Sequence, residues 1–143
     1  MASVKGVNAT KAADPQAANI LDPGLLGGKV RVMIDKYEAA ALALGSDITV
    51  GKALPSGASV IGVQISTDAL GAGVTVEVGD SDTSDRYIAA VDCTGATTTV
   101  STLGADALGY VIGTNSGDDT ILITTGVGAA TGTISIVVLY VVE

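Results

Sequence analysis

The sequence contains no histidine, no phenylalanine and no tryptophan, and it has a single cysteine, Cys93. Without histidine the chain lacks the commonest general base, so neither a Ser-His-Asp nucleophile nor a histidine-bearing zinc site can form. Its aromatic residues are four tyrosines, too few for the stacking platforms that bind single-stranded nucleic acid. One cysteine cannot form an intrachain disulfide. We therefore expect no catalytic residue, no cofactor and no metal site.

Basic residues are also scarce, with seven against fifteen acidic residues and a net charge of −8. This charge argues against partners that present phosphates, namely nucleic acids and anionic membranes. Residues 1–52 carry six of the basic groups, whereas residues 53–143 hold ten acidic groups and Arg86 alone. Such asymmetry indicates either a charged contact surface or a solvated acidic face. No apolar run reaches the length of a signal peptide or a membrane span, so we expect a soluble protein made in a cytoplasm.

Residues 1–28 differ from the rest of the chain, because they show neither the two-residue period of a strand nor the 3.6-residue period of a helix. Turn signals occur at Asp14-Pro15 and at Asp22-Pro23-Gly24. We interpret this segment as an extended N-terminal arm, with a disordered tail as the alternative. Residues 29–143 are predicted to form one domain.

From residue 29 onward, short alternating stretches are separated by glycine-rich turns, which predicts eight or nine strands and no helix. This all-β pattern is typical of an antiparallel β-sandwich. A jelly roll of about eight strands fits the pattern best, and an immunoglobulin-type sandwich is the alternative. Residues 108–112 are predicted as a strand, and the glycine-rich segment 125–132 as a hairpin connection. The residues predicted to face the core are Val30, Val32, Ile34, Ile61, Val63, Ile65, Val74, Val76, Val78, Ile121, Ile123, Ile134, Ile136 and Val138.

The last predicted strand, residues 133–142, is apolar on both faces. A strand of an antiparallel sandwich normally shows one face to water. A second apolar face therefore indicates that a loop, the arm or another subunit covers it, and we favour the subunit or the arm. The candidate interface residues are the large apolar residues of the arm and of this second face: Val4, Val7, Ile20, Leu21, Leu25, Leu26, Val137, Leu139 and Val141.

The densest polar cluster runs from Gly79 to Arg86 and contains Asp80, Asp82 and Asp85. Its spacing begins like an EF-hand calcium loop, but the glycine at the sixth position and the glutamate at the twelfth are missing. We interpret the cluster as a loop in which aspartate and serine side chains cap turn amides, with Arg86 as the counter-charge.

Three stretches resemble the head decoration, or capsid cement, proteins of tailed bacteriophages, which are built on a jelly roll. They are the stretch 54–63, which begins Leu54-Pro55-Ser56-Gly57-Ala58, the stretch 76–90 around Gly79-Asp80-Ser81-Asp82, and the valine-rich closing strand. The resemblance covers residues 28–142 and leaves the arm unmatched. It implies a structural virion protein on the capsid exterior, made in the host cytoplasm. Its implied partners are the major capsid protein, whose subunit contacts it stabilises, and further copies of itself in a homodimer or homotrimer.

A carbohydrate-binding or adhesin module on a phage fibre or cell surface is the alternative, which the scarcity of aromatic residues disfavours. An enzymatic function is the least favoured of the three hypotheses. The adjacent carboxylates of Asp118 and Asp119 would point to opposite faces of a strand, so they do not form a catalytic pair.

Overall fold

The computed structural model describes residues 29–101, 103–113 and 119–142, so the arm predicted for residues 1–28 lies outside the described residues. The described ranges contain strands and turns, and none of their residues is helical. Accordingly, they contain no helix long and apolar enough to cross a membrane. The eight strands are β1 (Arg31–Leu42), β2 (Asp47–Leu54), β3 (Ala58–Thr67), β4 (Thr75–Gly79), β5 (Ile88–Asp92), β6 (Thr97–Val100), β7 (Asp119–Gly126) and β8 (Ala130–Val142).

The strands lie in two antiparallel four-stranded sheets, ordered β1-β8-β3-β6 (sheet I) and β2-β7-β4-β5 (sheet II). This eight-stranded double-sheet arrangement confirms the predicted jelly roll and differs from the seven-stranded order of an immunoglobulin sandwich. The pairing of β1 with β8 fixes the two ends of sheet I. Arg31 lies opposite Tyr140 at one end, and Leu42 lies opposite Ala130 at the other.

The core between the sheets is built from alternating aliphatic residues, as the sequence pattern predicts. β8 is the clearest case, because its inward residues Ile134, Ile136 and Val138 are almost completely buried. Of the other eleven predicted core residues, seven are buried and four are exposed. The buried ones are Val63, Ile65, Val74, Val76, Val78, Ile121 and Ile123.

The prediction that Val30, Val32 and Ile34 face the core is wrong, since all three are exposed. In the register with β8, Val32 and Ile34 lie opposite Leu139 and Val137, on the outer side of sheet I. Alternation in a sequence fixes the period of a strand but not which of its two faces is buried. Here β1 is an edge strand, and its inward positions are taken by Met33, Asp35 and Tyr37.

The polar member of this inward set, Asp35, is satisfied by the neighbouring sheet. Its Oδ2 accepts a hydrogen bond from the Gly51 N–H of β2 at 2.6 Å. Met33 lies directly over Gly51, where a Cβ would meet the methionine sulfur. These contacts join the edges of the two sheets and determine which residues of β1 face inward.

Ile61 is the fourth predicted core residue that is exposed, at 43%. The register of β3 against β8 shifts between Val60 and Gly62, which leaves Ile61 as the extra residue of a β-bulge. The bulge changes the phase of β3, so Val60 and Val63 are both buried although they are three positions apart.

Two connections also differ from their predictions. Residues 108–112 form turns instead of a strand: the Leu108 N–H donates to the Gly104 carbonyl at 2.9 Å, and Gly109 has a φ of 81°. A residue in this left-handed backbone conformation cannot continue an extended strand. The glycine-rich connection after Gly126 links β7 of sheet II to β8 of sheet I, so it is a crossover between sheets and not a hairpin.

Candidate binding surface

Large aliphatic side chains lie side by side on the outer side of sheet I. Val32 of β1 is opposite Leu139 of β8, and Ile34 is opposite Val137. On the far side of β8, Val137 is opposite Gln64 of β3, which is itself opposite Val100 of β6. Residues directly opposite one another share a face of the sheet. We call the resulting set, Val32, Ile34, Val100, Val137 and Leu139, the outer apolar face.

The side chains of the outer apolar face are exposed to solvent, although they are large and aliphatic. The exposed fraction is 70% for Ile34, 62% for Val100, 57% for Val32 and 38% for Leu139. Scattered apolar residues on a surface are ordinary, but a group of large apolar residues on three strands of one sheet face is typical of an interaction site. The face therefore presents apolar area that no described residue covers.

A shallow groove of about 90 Å³ crosses the middle of this face, between β3, β6 and β8. It exists because Gly62 has no side chain: a Cβ there would sit 3.7 Å from Leu139 Cδ1 and fill the floor. The groove gives the face a concave centre, into which a protruding apolar side chain of a partner can fit.

A polar row limits the face toward the other end of sheet I. Lys36 and Ser66 lie opposite Ser135 on its two sides, and Ser66 Oγ is 3.1 Å from Thr98 Oγ1. Lys36 also forms an exposed ion pair with Glu38, with Nζ 2.9 Å from Oε1. The outer apolar face thus has a hydrated border, as protein interfaces do.

Of the candidate interface residues from the sequence, the structure places Val137 and Leu139 on the outer apolar face. Val141 is only 6% exposed and offers little free surface. The arm residues Val4, Val7, Ile20, Leu21, Leu25 and Leu26 lie outside the described residues.

Sequence reasoning missed Val32, Ile34 and Val100 as surface residues. The alternation in β1 is compatible with either set of residues facing inward, so it carries no signal that Val32 and Ile34 face outward. Val100 ends a threonine-rich stretch and carries no periodic signal.

The Asp80 loop is a second concentration of polar groups, which we call the charged corner. Asp80 is buried, and its Oδ1 accepts hydrogen bonds from the N–H groups of Asp82 at 3.1 Å and Thr83 at 2.9 Å. Its Oδ2 accepts from Arg86 Nε and from the Tyr87 hydroxyl, the latter at 3.3 Å. The prediction of a capped loop with Arg86 as counter-charge is confirmed.

Arg86 also ties the charged corner to the segment 103–113. Its Nη1 donates to the Asp106 carbonyl at 3.1 Å, and the guanidinium carbon lies 3.8 Å from the centre of the Tyr110 ring. Such stacking of a cation on an aromatic face adds to the ion pair. Burial, with the nearby Asp80 carboxylate, raises the pKa of Tyr87 well above its usual range, so its hydroxyl stays protonated. The corner is a structural clamp.

The remaining acidic and cysteine side chains of the described residues range from exposed to buried. Within the three described ranges, no group of three acidic or cysteine side chains is placed to hold a metal ion. Asp82 and Asp85 are exposed. Cys93 is fully buried, its Sγ contacts the Val91 carbonyl at 3.5 Å, and burial raises the pKa of the thiol.

Known structures share this fold. A chain of the capsid asymmetric unit of cyanophage Pam1 is 25% identical, with a TM-score of 0.65 over 82% of this chain and 87% of that chain. The predicted resemblance to phage capsid proteins is confirmed. A chain from the capsid of Ralstonia phage GP4 is 20% identical, with a TM-score of 0.63 over 81% of this chain and 86% of that one. No family model and no curated protein matches the chain.

The similarity to these capsid chains supports a structural role in a virion. It extends over most of both chains, so it concerns the whole sandwich and not a single motif. Within that shared fold, the outer apolar face is the described surface best suited to contact another protein of the particle.

Proposed function

We propose that this protein is a capsid decoration protein, which binds the outer surface of a phage capsid and stabilises contacts between major capsid protein subunits. The outer apolar face supports the proposal, because it places exposed aliphatic side chains on a sandwich whose fold recurs in phage capsids. The role requires binding and no catalysis, in keeping with a sequence that lacks histidine.

The physical basis of attachment is the burial of apolar area. Burying an exposed Val, Leu or Ile side chain contributes about 1.5–3 kcal/mol, so the outer apolar face has enough area for a contact of modest affinity. On a capsid, copies that also contact one another gain further strength, since each additional contact is made at high effective concentration.

The arm provides a second proposed attachment. Residues 1–28 carry Lys5, Lys11 and six large apolar residues, but no pattern that would build a core of their own. Lying across a neighbouring subunit, such a segment would lose its conformational freedom only on assembly. Deleting residues 1–24 is therefore expected to leave the melting temperature of the isolated protein nearly unchanged and to weaken its binding to capsids.

The decisive experiment is cosedimentation with expanded capsids that lack this protein, followed by imaging of the particles. The wild-type chain should pellet with the capsids and add density to their outer surface. The variant Ile34→Ser with Leu139→Ser removes two large aliphatic side chains of the outer apolar face and should bind at least tenfold more weakly.

The matched control is Leu44→Ser with Leu108→Ser, which removes two aliphatic side chains that are 64% and 71% exposed elsewhere on the surface. It should bind like the wild type. Equal binding by Ile34→Ser with Leu139→Ser would remove the outer apolar face from the proposal. If the wild-type chain does not bind capsids but is retained on a glycan array, the result would overturn the proposal and favour an adhesin function.

A further inference from the structure

Two grooves of similar size open at opposite edges of the sandwich. One lies between β1 and β2, measures about 460 Å³ and is lined by Arg31 and Lys52, so we call it the basic groove. The other lies between β5 and β6, measures about 440 Å³ and is lined by Asp85 and Asp106, so we call it the acidic groove. β1 and β6 are the two edges of sheet I, and β2 and β5 are the two edges of sheet II.

The grooves also lie toward the same end of the sandwich. Arg31 is opposite Tyr140, near the end of β8. On the other edge, Val100 is opposite Gln64, which pairs with Val137 three positions earlier in β8. A second copy placed beside the first, in the same orientation, would therefore bring its acidic groove level with the basic groove.

The charges of the basic groove are available to a partner. Both Arg31 and Lys52 are exposed, and within the described ranges neither forms an ion pair. Lys36, farther along β1, is engaged by Glu38. Lys29, just before β1, is the remaining exposed basic residue of the described chain. All the exposed, unpaired basic groups described thus lie near one edge.

The acidic groove keeps its negative charge although Arg86 lines it. The Arg86 side chain is only 10% exposed and is neutralised by the buried Asp80 carboxylate. Asp85 and Asp106 are exposed, and in the described part of the chain neither carboxylate forms an ion pair. The groove therefore presents two carboxylates that a basic surface would attract.

Each groove is flanked by strand edges that pair on one side only among the described residues. β1 and β6 each pair with one strand of sheet I, and β2 and β5 each pair with one strand of sheet II. The free side of an edge strand carries backbone N–H and C=O groups that can pair with another strand. Strand edges beside complementary charges favour an edge-to-edge contact between identical chains.

We propose that the basic groove of one copy docks against the acidic groove of a second copy, with Arg31 and Lys52 facing Asp85 and Asp106. The contact joins different surfaces of the two copies, so successive copies form a ring if the rotation closes. The contact goes beyond the proposed capsid binding, because it concerns association of the protein with itself and needs no capsid.

The test is the oligomeric state of the full chain, measured by sedimentation velocity over a range of concentrations in the absence of capsids. The wild type should associate, and its dissociation constant should rise with salt because exposed charges are screened. Arg31→Glu with Lys52→Glu should weaken association at least tenfold, and so should Asp85→Lys with Asp106→Lys.

The decisive variant combines all four substitutions and exchanges the charges of the two grooves. It should associate with itself again, but not with the wild type, because mixed contacts would oppose like charges. The control Asp47→Lys with Asp92→Lys makes the same charge change at the opposite end of the sandwich, and it should associate like the wild type. Far-ultraviolet circular dichroism checks folding. If a charge-reversed pair unfolds, Arg31→Gln with Lys52→Gln replaces the basic pair and Asp85→Asn with Asp106→Asn replaces the acidic pair.

A wild-type chain that stays monomeric at every concentration would overturn the proposal. Association that persists in both groove variants would also overturn it and would assign the contact to another surface. Neither result depends on capsid binding, so this proposal and the proposed function can fail separately.

Discussion

The outer apolar face and the charged corner depart in opposite directions from the usual distribution of residues in a sandwich. The outer apolar face exposes large aliphatic side chains, whereas the charged corner buries a carboxylate and a guanidinium. In the corner, both Asp80 oxygens accept hydrogen bonds from groups of the same chain. On the outer apolar face, no described residue packs over Ile34 or Val100. The polar groups of the corner are thus satisfied by described residues, while the apolar side chains of the face are left uncovered by them.

The largest effect is expected in β8, where one residue belongs to the core and the next to the outer apolar face. Val138→Asp would place a carboxylate in the core, where no partner compensates its desolvation, so the chain should not fold. Val137→Asp changes the outer side and should cost about 1 kcal/mol, the range of strand propensities. Circular dichroism and urea denaturation of both variants measure the difference. Equal losses of stability would show that both faces of β8 are buried.

Breaking the charged corner should give the next largest loss. Asp80→Asn leaves Arg86 buried without its counter-charge, and removing one partner of a buried ion pair costs about 3–5 kcal/mol. Asp82→Asn is the control, because Asp82 is exposed and should change stability by less than about 0.5 kcal/mol. Urea denaturation gives both values. A loss below 1 kcal/mol for Asp80→Asn would mean that the corner is not a clamp.

A smaller loss is expected from Gly79→Ala, which tests how closely the loop returns to β4. A Cβ at Gly79 would overlap the Thr83 carbonyl oxygen and the backbone of Ser84, so the loop must shift and weaken its hydrogen bonds to Asp80. Overpacking of this kind costs about 1–3 kcal/mol. Gly95→Ala adds the same methyl group in open space and serves as the control. Thermal denaturation should separate the two variants clearly.

The smallest effect concerns pH. The pKa of Tyr87 is raised in the folded state, mainly by burial and then by the Asp80 carboxylate, so the folded state keeps a proton that the unfolded state loses above about pH 10. Stability from this group is therefore complete below pH 10 and falls as the pH rises, by at most about 1.4 kcal/mol per unit. Tyr87→Phe should be less stable at neutral pH, because it loses the hydrogen bond to Asp80, but its stability should fall less steeply between pH 10 and 11. Identical slopes would show that the hydroxyl is free to ionise.

The sequence predicts the sandwich well, because strands and turns follow from local signals, namely period-two alternation and glycine-rich turns. It predicts the burial of β8 and β4 correctly for the same reason. It fails for β1, where the two faces carry similar apolar residues and the choice depends on an edge position and on the distant Gly51. The bulge at Ile61 likewise depends on the register with β8.

The candidate surfaces show the same division between local and distant causes. Capping of the loop by Asp80 is predictable, since its partners Asp82, Thr83 and Arg86 follow within six residues. The stacking of Arg86 on Tyr110 is not, because it requires the segment 103–113 to return to the loop. Of the outer apolar face, only Val137 and Leu139 are predictable, because β8 is apolar on both faces; the other three members depend on strand order.

The position of Arg31 opposite Tyr140 has a practical consequence for attaching foreign peptides to this scaffold. A tag joined after β8 would emerge beside the start of β1, close to the basic groove. The crossover at Val127, 69% exposed, lies at the other end of β8. Thirteen residues of strand separate the two sites by about 40 Å. A peptide inserted at Val127 would therefore be displayed at the end of the sandwich away from Arg31 and Tyr140, where it leaves the grooves unobstructed.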